Sequence, residues 1–504
     1  AGVNPDDIVL AWTVHTQSMT TLQRMRSIAQ PPPTTLAPTG QTTADVGGFG
    51  LADIYIGIIT LPYYSGIPSE ANPLAPLTDF WKAEPGAYIP PFDQLPFLDP
   101  TSTNITIANP FPAPTGMQTV PLLVTVPGAN SGFTKPENGW PVVIYMHGLT
   151  RNRTDMLALA DSIAQTGRVF VSMDQPLHGV VPAVDPQLAA FYIENTPFAP
   201  MANERTFDAD YWNNETGALG PDGITDSSGR SSFNLANLQA TRDNIRQGEH
   251  DWSNLTLSLQ NMDLDGDEFP DLNYMDVSLV SHSAGGYLAV PFAAVEPFVS
   301  RAYVNATGGG MMRSLEGGSF GPGFVQPTLK ALAGIEPGMP EYEQYLLAAQ
   351  TLLDSGDSIN YGAALATKVP FIHNMVIDDT TVPNTVPGAP LAGSEALNPV
   401  MGLPSYSTTQ ANPDGLLGIA RFLQPADHEA LFRPINPEVT VEMQGQMASF
   451  IGSMGTLVSV GNSDLLQPVP ESAPAKAAGD KTVGKTGPKT KKRPGLKHTE
   501  SAKN

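Results

Sequence analysis

The chain has 504 residues, of which 41% are hydrophobic and 15% charged, and it contains no cysteine. At about 100–200 residues per domain this length predicts two to four domains, and the absence of cysteine excludes disulfides and thiolate metal sites. The formal charge is −23, but residues 475–504 hold nine basic and two acidic residues, so the other 474 residues carry a net charge of −30. Such an acidic body argues against a nucleic-acid partner.

The first part of the chain is rich in proline and threonine, and its apolar segments predict strands. Residues 7–16 and 52–64 have the β-branched and aromatic composition of strands, and residues 17–29 favour a short helix. We therefore expect a small β-rich N-terminal domain over residues 1–115. Because the chain begins with Ala1 and not with Met, we also expect a processed or truncated product whose signal segment is not included.

From residue 116 onward, short β-rich runs alternate with segments of helical periodicity. This alternation favours an α/β fold in which a mostly parallel sheet is covered by helices on both faces. The predicted strands are residues 120–126, 141–146, 168–173, 275–280, 302–305 and 369–377, and the predicted helices are residues 154–166, 234–259, 287–295 and 441–451.

Two long segments, residues 179–233 and 307–368, do not follow this alternation. Loops of that length in a compact domain typically serve as lids or binding loops, and both follow predicted strands, where α/β enzymes place their sites. The Lys-, Gly- and Pro-rich residues 475–504 contain almost no large apolar side chain, so we expect them to be disordered. The predicted second domain therefore covers residues 116–474.

The strongest motif is Val277–Gly286, in which an apolar strand runs directly into Ser-His-Ser-Ala-Gly-Gly and a helix follows. This context is typical of a nucleophile elbow, with Ser283 at the apex of the turn. Small residues are required two positions to either side of the nucleophile, because the strand and the helix nearly collide there. Gly285 meets this requirement, and Ser281 stands where the G-x-S-x-G pattern has its first glycine. The alternative interpretation is an inert turn serine.

A serine nucleophile needs an adjacent base that a carboxylate orients, in the chain order serine, acid, histidine. Three histidines follow Ser283. His373 lies inside a predicted buried strand, and His498 lies in the predicted disordered tail. His428 stands on a predicted loop just before an apolar segment, so it is the predicted base, against the alternative of a surface-loop histidine.

The acid is expected at the end of the strand that precedes the histidine loop. That strand ends in Asp378-Asp379-Thr380-Thr381-Val382-Pro383. An acid followed three or four residues later by Val-Pro is a familiar hydrolase pattern, and Asp379 has that spacing. Asp378 would point to the other face if the strand continued. We prefer Asp379, and the alternative for either residue is a helix cap or a turn.

An oxyanion hole requires two backbone N–H groups directed at the developing charge. One is expected from Ala284, the residue after the nucleophile, and the other from the loop after an early strand. That strand, residues 141–146, is followed by His147-Gly148-Leu149, and the N–H of Leu149 is the predicted second donor. We interpret His147 as a structural hydrogen-bonding residue.

An acidic loop precedes the strand of the nucleophile. Asp263, Asp265, Asp267 and Asp271 surround a glycine turn, and alternating carboxylates of this kind suit a hard cation such as calcium. Tyr274 stands where an EF-hand loop has its bidentate glutamate, so the loop is not a complete EF-hand. The alternative is an acidic surface turn.

These motifs together resemble the extracellular lipases called bacterial virulence-factor lipases, which join a distinct N-terminal domain to an α/β-hydrolase domain. The resemblance covers nearly the whole chain except the tail. It is carried by residues 7–18 (DIVLAWTVHTQS), 145–155 (YMHGLTRNRTD), 174–179 (DQPLHG), 204–210 (ERTFDAD), 263–271 (DLDGDEFPD), 281–286 (SHSAGG) and 378–384 (DDTTVPN).

The resemblance implies an α/β-hydrolase fold and hydrolysis of carboxylic esters on lipid-like substrates by a secreted or cell-surface bacterial enzyme. It places Ser283 as the nucleophile, Asp379 as the acid and His428 as the base. Some relatives act on lysophospholipids and others on simple esters, and the sequence does not choose between them. We expect the two long segments to wall an apolar acyl pocket, with Met311 and Met312 as candidate linings.

The predicted function is therefore that of a serine esterase or lipase that needs no cofactor for catalysis and carries a possible structural calcium ion. The alternatives are a phospholipase, an amidase or peptidase with the same triad, and a non-catalytic calcium-stabilised surface-binding protein. No apolar run is long enough to predict a membrane span. The expected partners are a small-molecule or lipid ester and, transiently, a lipid surface.

Overall fold

A computed structural model of the chain describes residues 19–469. The predicted strand at residues 7–16 and the predicted disorder of residues 475–504 lie outside the described residues. The strands are β1 (Thr34–Thr42), β2 (Ala52–Tyr63), β3 (Gly116–Pro127), β4 (Trp140–Met146), β5 (Val169–Met173), β6 (Leu272–His282), β7 (Val299–Asn305), β8 (Phe371–Val376), β9 (Gln410–Ala411), β10 (Leu417–Phe422) and β11 (Leu457–Val458).

The helices flank these strands in sequence and cover the sheet. They are α1 (Thr20–Ile28), α2 (Ala75–Thr78), α3 (Ala160–Ala164), α4 (Leu238–Ser258), α5 (Ala284–Val295), α6 (Met311–Gly317), α7 (Gln326–Ala333), α8 (Pro340–Leu353), α9 (Ser358–Ala366), α10 (Ser394–Met401) and α11 (Pro437–Gly452). No helix within residues 19–469 combines the length and the apolar character that crossing a bilayer requires.

Nine of the described strands form one sheet in the order β1-β2-β3-β5-β4-β6-β7-β8-β10. The strands β5, β4, β6, β7, β8 and β10 are parallel to one another, whereas β1, β2 and β3 form an antiparallel edge that joins them through β3 and β5. From β2 to β10 this is the strand order of the α/β-hydrolase fold, so the predicted fold class is confirmed. The carboxyl ends of β4, β5, β6, β7 and β8 meet at one edge of the sheet.

The sheet has a hydrophobic core on each face, because successive residues of a strand point to opposite sides. In β4, Val142 and Ile144 pack on one face, and Val143 and Tyr145 pack on the other. The first core contains Trp252 of α4 and Phe292 of α5, and the second contains Ile163 of α3 and Met443, Met447 and Phe450 of α11.

The predicted boundary between residues 115 and 116 differs from what the structure shows. The strand β2 pairs with β3 along its whole length, from Ala52 opposite Pro127 to Tyr63 opposite Gly116. Ile59 and Leu61 of β2 belong to the same core as Val142. The described residues up to Pro468 form one compact unit, because the alternation in β2 buries side chains on both faces of the shared sheet.

The two predicted insertions follow β5 and β7, and their internal structure differs. Residues 179–233 contain no strand or α-helix of the sheet layers, and they are ordered by short 3-10 turns. Residues 307–368 are mainly helical and contain α6, α7, α8 and α9. The frequent glycines of this segment explain why its helical periodicity is weak in the sequence.

We predict that residues 116–474 alone do not fold cooperatively, because this fragment lacks β2 and exposes the edge of β3. In the full chain, Leu61→Ala should lower the free energy of unfolding by about 2–5 kcal/mol, the usual cost of such a truncation in a core, since Leu61 is fully buried. Circular dichroism melting tests both, with residues 1–474 as the matched control. A cooperative unfolding transition of the 116–474 fragment would instead support a domain boundary between residues 115 and 116.

Candidate active site

The turn between β6 and α5 holds Ser283 in the left-handed region, with φ 53° and ψ −124°. Two bonds fix this strained conformation: the N–H of Ser283 donates to the carbonyl of Asn305 at 2.9 Å, and the N–H of Gly286 donates to the carbonyl of Ser283 at 2.8 Å. Backbone strain of this kind persists only where the surroundings impose it. The turn therefore presents the hydroxyl of Ser283 at the carboxyl edge of the sheet.

The close contact that the motif predicts is present at Gly285. A Cβ atom at this position would lie 2.2 Å from the carbonyl oxygen of Met146 in β4, a distance that no side chain tolerates. Ser281, on the opposite side of the turn, is fully buried, and its hydroxyl has no hydrogen-bond partner among the described residues. The complete burial of Ser281 shows that a serine side chain fits at the position of the first glycine.

The three predicted triad residues lie in one hydrogen-bonded chain. The distance from His428 Nε2 to Ser283 Oγ is 2.8 Å, and that from His428 Nδ1 to Asp379 Oδ2 is 2.7 Å. A carboxylate only accepts, so Nδ1 carries the proton and Nε2 is free to accept the serine proton. The imidazole is 13% exposed and the Asp379 carboxylate 2%, so the array is shielded but reachable.

The end of β8 explains why Asp379, and not its neighbour, faces the histidine. Asp378 has a φ of 59°, and this left-handed residue reverses the direction of the chain. Its N–H donates to Oδ1 of Asn384 at 2.8 Å. The second oxygen of Asp379 accepts the N–H groups of Thr381 at 2.8 Å and Val382 at 3.1 Å, which fixes the carboxylate against the imidazole.

The other candidate histidines stand elsewhere. His373 is fully buried in β8, where its Nδ1 lies 2.9 Å from Oδ1 of Asn398. Burial lowers the pKa of His373 to about 4, so this ring is a neutral core residue. His498 lies outside the described residues.

A second histidine, which the sequence motifs did not indicate as part of the site, packs against His428. The ring centre of His282 lies 4.8 Å from that of His428 and meets Phe432 edge-on at 4.7 Å. Its Nδ1 lies 2.9 Å from Oδ1 of Asn305. Burial, with the nearby His428 charge, lowers the pKa of His282 well below its usual value. Because the His282 ring is neutral, it packs against His428 without opposing the protonation of that base. The indication available in the sequence was the position of His282 between Ser281 and Ser283 in the turn motif.

The predicted oxyanion donors lie beside the nucleophile. A Cβ atom at Gly148 would approach the Cβ of Ser283 to 3.1 Å, so the loop after β4 contacts the elbow. Within residues 19–469, the N–H groups of Leu149 and Ala284 donate to no other protein group. Both donors are therefore available to a developing negative charge.

His147 holds the oxyanion loop, as the structural interpretation of this residue predicts. Its Nδ1 donates to the carbonyl of Gly148 at 2.8 Å, and its Nε2 accepts the N–H of Gln175 at 3.0 Å. The side-chain amide of Gln175 donates back to the carbonyl of His147 at 2.7 Å. Burial lowers the pKa of His147 and keeps it neutral, which this donor–acceptor pattern requires.

A buried ion network connects this loop to the first insertion. The Arg153 guanidinium pairs with Asp174, which follows β5, and its Nη1 and Nη2 atoms lie 2.7 and 2.8 Å from the carboxylate of Glu204. All three side chains are almost completely buried. The network therefore ties residues 179–233 to the core next to the oxyanion loop.

Two depressions include Ser283 in their lining. The first is predominantly apolar, and Leu149 and Ala284 also line it. Met311 lines it, whereas Met312 is buried beside it in the same core without reaching the surface of the pocket. The second is more polar and contains the base; it is lined by Thr150, Arg151, Ser319, His428 and Glu429.

The acidic loop brings three of the four predicted ligands together. Carboxylate oxygens of Asp263, Asp265 and Asp267 lie within 4.8 Å of one another. Asp271 serves a different purpose, because it accepts the N–H of Leu264 at 2.6 Å and pairs with Lys135, which also reaches Asp265 at 3.0 Å. Three aspartates could therefore provide oxygen ligands for a cation. Asp271 instead stabilises the loop through its hydrogen bond to Leu264 and its ion pair with Lys135.

No protein-family model and no curated protein matches this chain. Among solved structures, it is similar to acetyl xylan esterase 1 from Thermoanaerobacterium sp. JW/SL YS485, with 14% identity and a TM-score of 0.44 over 86% of this chain and 92% of that one. It is also similar to an acetyl xylan esterase from Paenibacillus sp. R4 (12%, 0.43, 84% and 92%) and to the Pyrococcus horikoshii acylaminoacyl peptidase (13%, 0.38, 66% and 39%). These similarities are too distant to indicate a function, so the function is inferred from the geometry of the site.

We predict that Asp379→Asn slows covalent labelling of Ser283 by a fluorophosphonate by about 10⁴-fold, the loss of turnover seen when a triad carboxylate is neutralised. Asp378→Asn is the matched control, because asparagine tolerates the left-handed conformation, and its labelling rate should stay within threefold of wild type. Stopped-flow labelling with a fluorescent probe measures both rates. The reverse ranking would assign the acid to Asp378.

Proposed function

We propose that the protein is a serine carboxylester hydrolase. The observation that carries this proposal is the continuous array from Asp379 through His428 to Ser283, with bond lengths of 2.7 and 2.8 Å. Two available N–H groups beside the same hydroxyl complete the requirements for acyl transfer. A non-catalytic binding protein would have no need of this set.

In the proposed mechanism, Ser283 attacks the ester carbonyl while His428 takes its proton. Asp379 holds the imidazole in the required tautomer and stabilises its cation. The N–H groups of Leu149 and Ala284 stabilise the oxyanion of the tetrahedral intermediate. His428 then protonates the departing alcohol, and a water molecule, deprotonated by His428, releases the acid from Ser283.

The position of the base indicates how a substrate lies in the site. His428 must reach the leaving oxygen, so the alcohol belongs in the polar depression that His428 lines. The acyl group then belongs in the apolar pocket, which Ser283 also lines. An apolar acyl pocket supports lipid-like or other acyl esters, in agreement with the resemblance to virulence-factor lipases and their secreted or cell-surface location. Lysophospholipids and simple esters both remain within this proposal.

An amidase or peptidase would use the same triad, and the substrate distinguishes it. We predict that Ser283→Ala, which fits the same turn, lowers ester turnover by at least about 10³-fold without changing the melting temperature by more than a degree or two. Wild type should hydrolyse p-nitrophenyl acyl esters and leave the matched p-nitroanilides almost untouched. Residual esterase activity of Ser283→Ala within tenfold of wild type would refute the assignment, and faster anilide hydrolysis would favour the amidase.

We also propose that calcium binds the loop of Asp263, Asp265 and Asp267 and stabilises the fold without entering the reaction. Three clustered carboxylates in a turn provide the oxygen ligands that calcium prefers. The loop directly precedes β6, which carries the nucleophile, so ordering the loop supports that strand. The alternative is an acidic surface turn that binds no ion.

For this site, we predict that calcium at 100 times its dissociation constant adds about 2.7 kcal/mol to the free energy of unfolding. The melting temperature should rise in calcium and fall in EDTA, and Asp263→Asn should abolish the difference. Glu268→Gln, an exposed change of the same type in the same loop but outside the cluster, should retain it. Identical melting curves of the wild type in calcium and EDTA would exclude the site.

A further inference from the structure

The residues that line the acyl pocket include buried polar side chains with atoms that have no hydrogen-bond partner among the described residues. Asn244 lies in the second turn of α4, is 3% exposed and lines the pocket together with Ile245 and Leu288. Its Nδ2 atom makes no hydrogen bond within residues 19–469. Because buried amide groups in native proteins are nearly always bonded, an unpaired one at a ligand pocket requires an explanation.

The same wall contains a second unpaired polar atom, on His178. The Nδ1 atom of this imidazole donates to the carbonyl of Pro176 at 3.0 Å, so Nε2 is the acceptor. Burial, reinforced by the neighbouring His147, lowers the pKa of His178 to about 3, so the ring is neutral. Nε2 has no donor among the described residues, and His178 is 3% exposed. Asn244 and His178 thus each have an unpaired polar atom and line the same pocket, whose lining also includes Tyr287, a third residue with an unpaired buried polar atom.

The remainder of the pocket defines which kind of group would provide them. Phe233, Ile245 and Leu288 make the surrounding wall apolar, and no Asp, Glu, Lys or Arg lines this pocket in the described part of the chain. A charged acyl substituent would have no counterion there. A hydroxyl both donates and accepts, so it satisfies the carboxamide in either orientation and suits an imidazole acceptor as well.

We propose that the preferred substrates are esters of hydroxy acids, whose acyl hydroxyl bonds to Asn244, with His178 as a second polar contact. This inference rests on the proposed ester hydrolysis and on the acyl group occupying the apolar pocket. Sites that hydrogen-bond a substrate hydroxyl discriminate strongly against analogues that lack it, because the polar groups of the site are then left unpaired. Asn244 is thus a specificity-determining residue.

The test compares methyl hexanoate with its 3-, 4-, 5- and 6-hydroxy derivatives, and pH-stat titration measures kcat/KM for each. The expected result for the wild type is a kcat/KM at least tenfold higher for one hydroxy isomer than for methyl hexanoate. In Asn244→Leu this preference should disappear, so that the variant cleaves the hydroxy ester and methyl hexanoate with equal kcat/KM. Equal values for all five esters in the wild type would overturn the inference, and they would indicate that ordered water satisfies the two groups.

A matched control distinguishes recognition from support of the fold. Asn254 is a buried asparagine on the same helix, but its side chain is bonded to the N–H of Gln30 at 3.0 Å and to the carbonyl of His250 at 3.2 Å. Asn254→Leu should lower the melting temperature and keep the preference for the hydroxy ester. Asn244→Leu should leave the melting temperature unchanged or higher, because it removes an unpaired polar group. The opposite pattern would make Asn244 a structural residue.

Binding to the inactive Ser283→Ala variant separates this inference from the proposed function. Calorimetry should show at least tenfold tighter binding of the preferred hydroxy ester than of methyl hexanoate, and Asn244→Leu in the same background should abolish the difference. If wild type hydrolyses no ester but this binding preference is present, the proposed reaction fails and the recognition site stands. If esters are hydrolysed without any preference in rate or binding, the reaction stands and the recognition site is refuted.

Discussion

The active site depends on the approach of α5 to the end of β4, where the chain has space only for glycine at Gly285. The carbonyl of Met146 occupies the position that a side chain would need. This contact lies two residues after the strained turn at Ser283. The loop after β4 also contacts the elbow, because a Cβ atom at Gly148 would lie 3.1 Å from the Cβ of Ser283. Packing of the backbone between α5 and β4 thus brings the proposed nucleophile close to the loop that holds Leu149, the proposed second oxyanion donor.

The sequence was sufficient to predict the parts of the site that are determined locally. Ten consecutive residues, Val277–Gly286, contain the whole elbow motif, because strand, turn and helix follow one another directly there. His428 was identified as the base by elimination, because His373 lies in a predicted strand and His498 in the predicted disordered tail. Asp378 and Asp379 were both candidates for the acid. The left-handed conformation of Asp378 reverses the chain there, and this explains why Asp379 faces the histidine. Their assembly around Ser283 follows from the order of parallel strands, whose carboxyl ends share one edge.

Contacts between distant segments were not predictable in the same way. Arg153 meets Glu204 across 51 residues, and Lys135 reaches Asp271 across 136, so no local pattern connects the partners. The same reason explains the boundary at residue 115: β2 has the composition of any half-buried strand, and nothing in its sequence shows that its partner is β3. Lys135 also explains why Asp271 braces the acidic loop while the other three aspartates cluster.

The helix α4 connects an early segment of the chain, which contains Tyr64 and Trp81, to the apolar pocket beside Ser283. Its buried polar side chains bind backbone N–H groups of that early segment: Asp243 accepts from Trp81 at 2.9 Å, and Gln247 from Tyr64 at 2.9 Å. These positions are one turn apart and lie on one face of the helix. Asn244 follows Asp243 by one residue, about 100° around the helix, and there the wall of the pocket begins. The early segment therefore fixes both the rotation and the height of the helix that lines the pocket, so residues far from the triad in sequence shape the pocket that we propose for the acyl group.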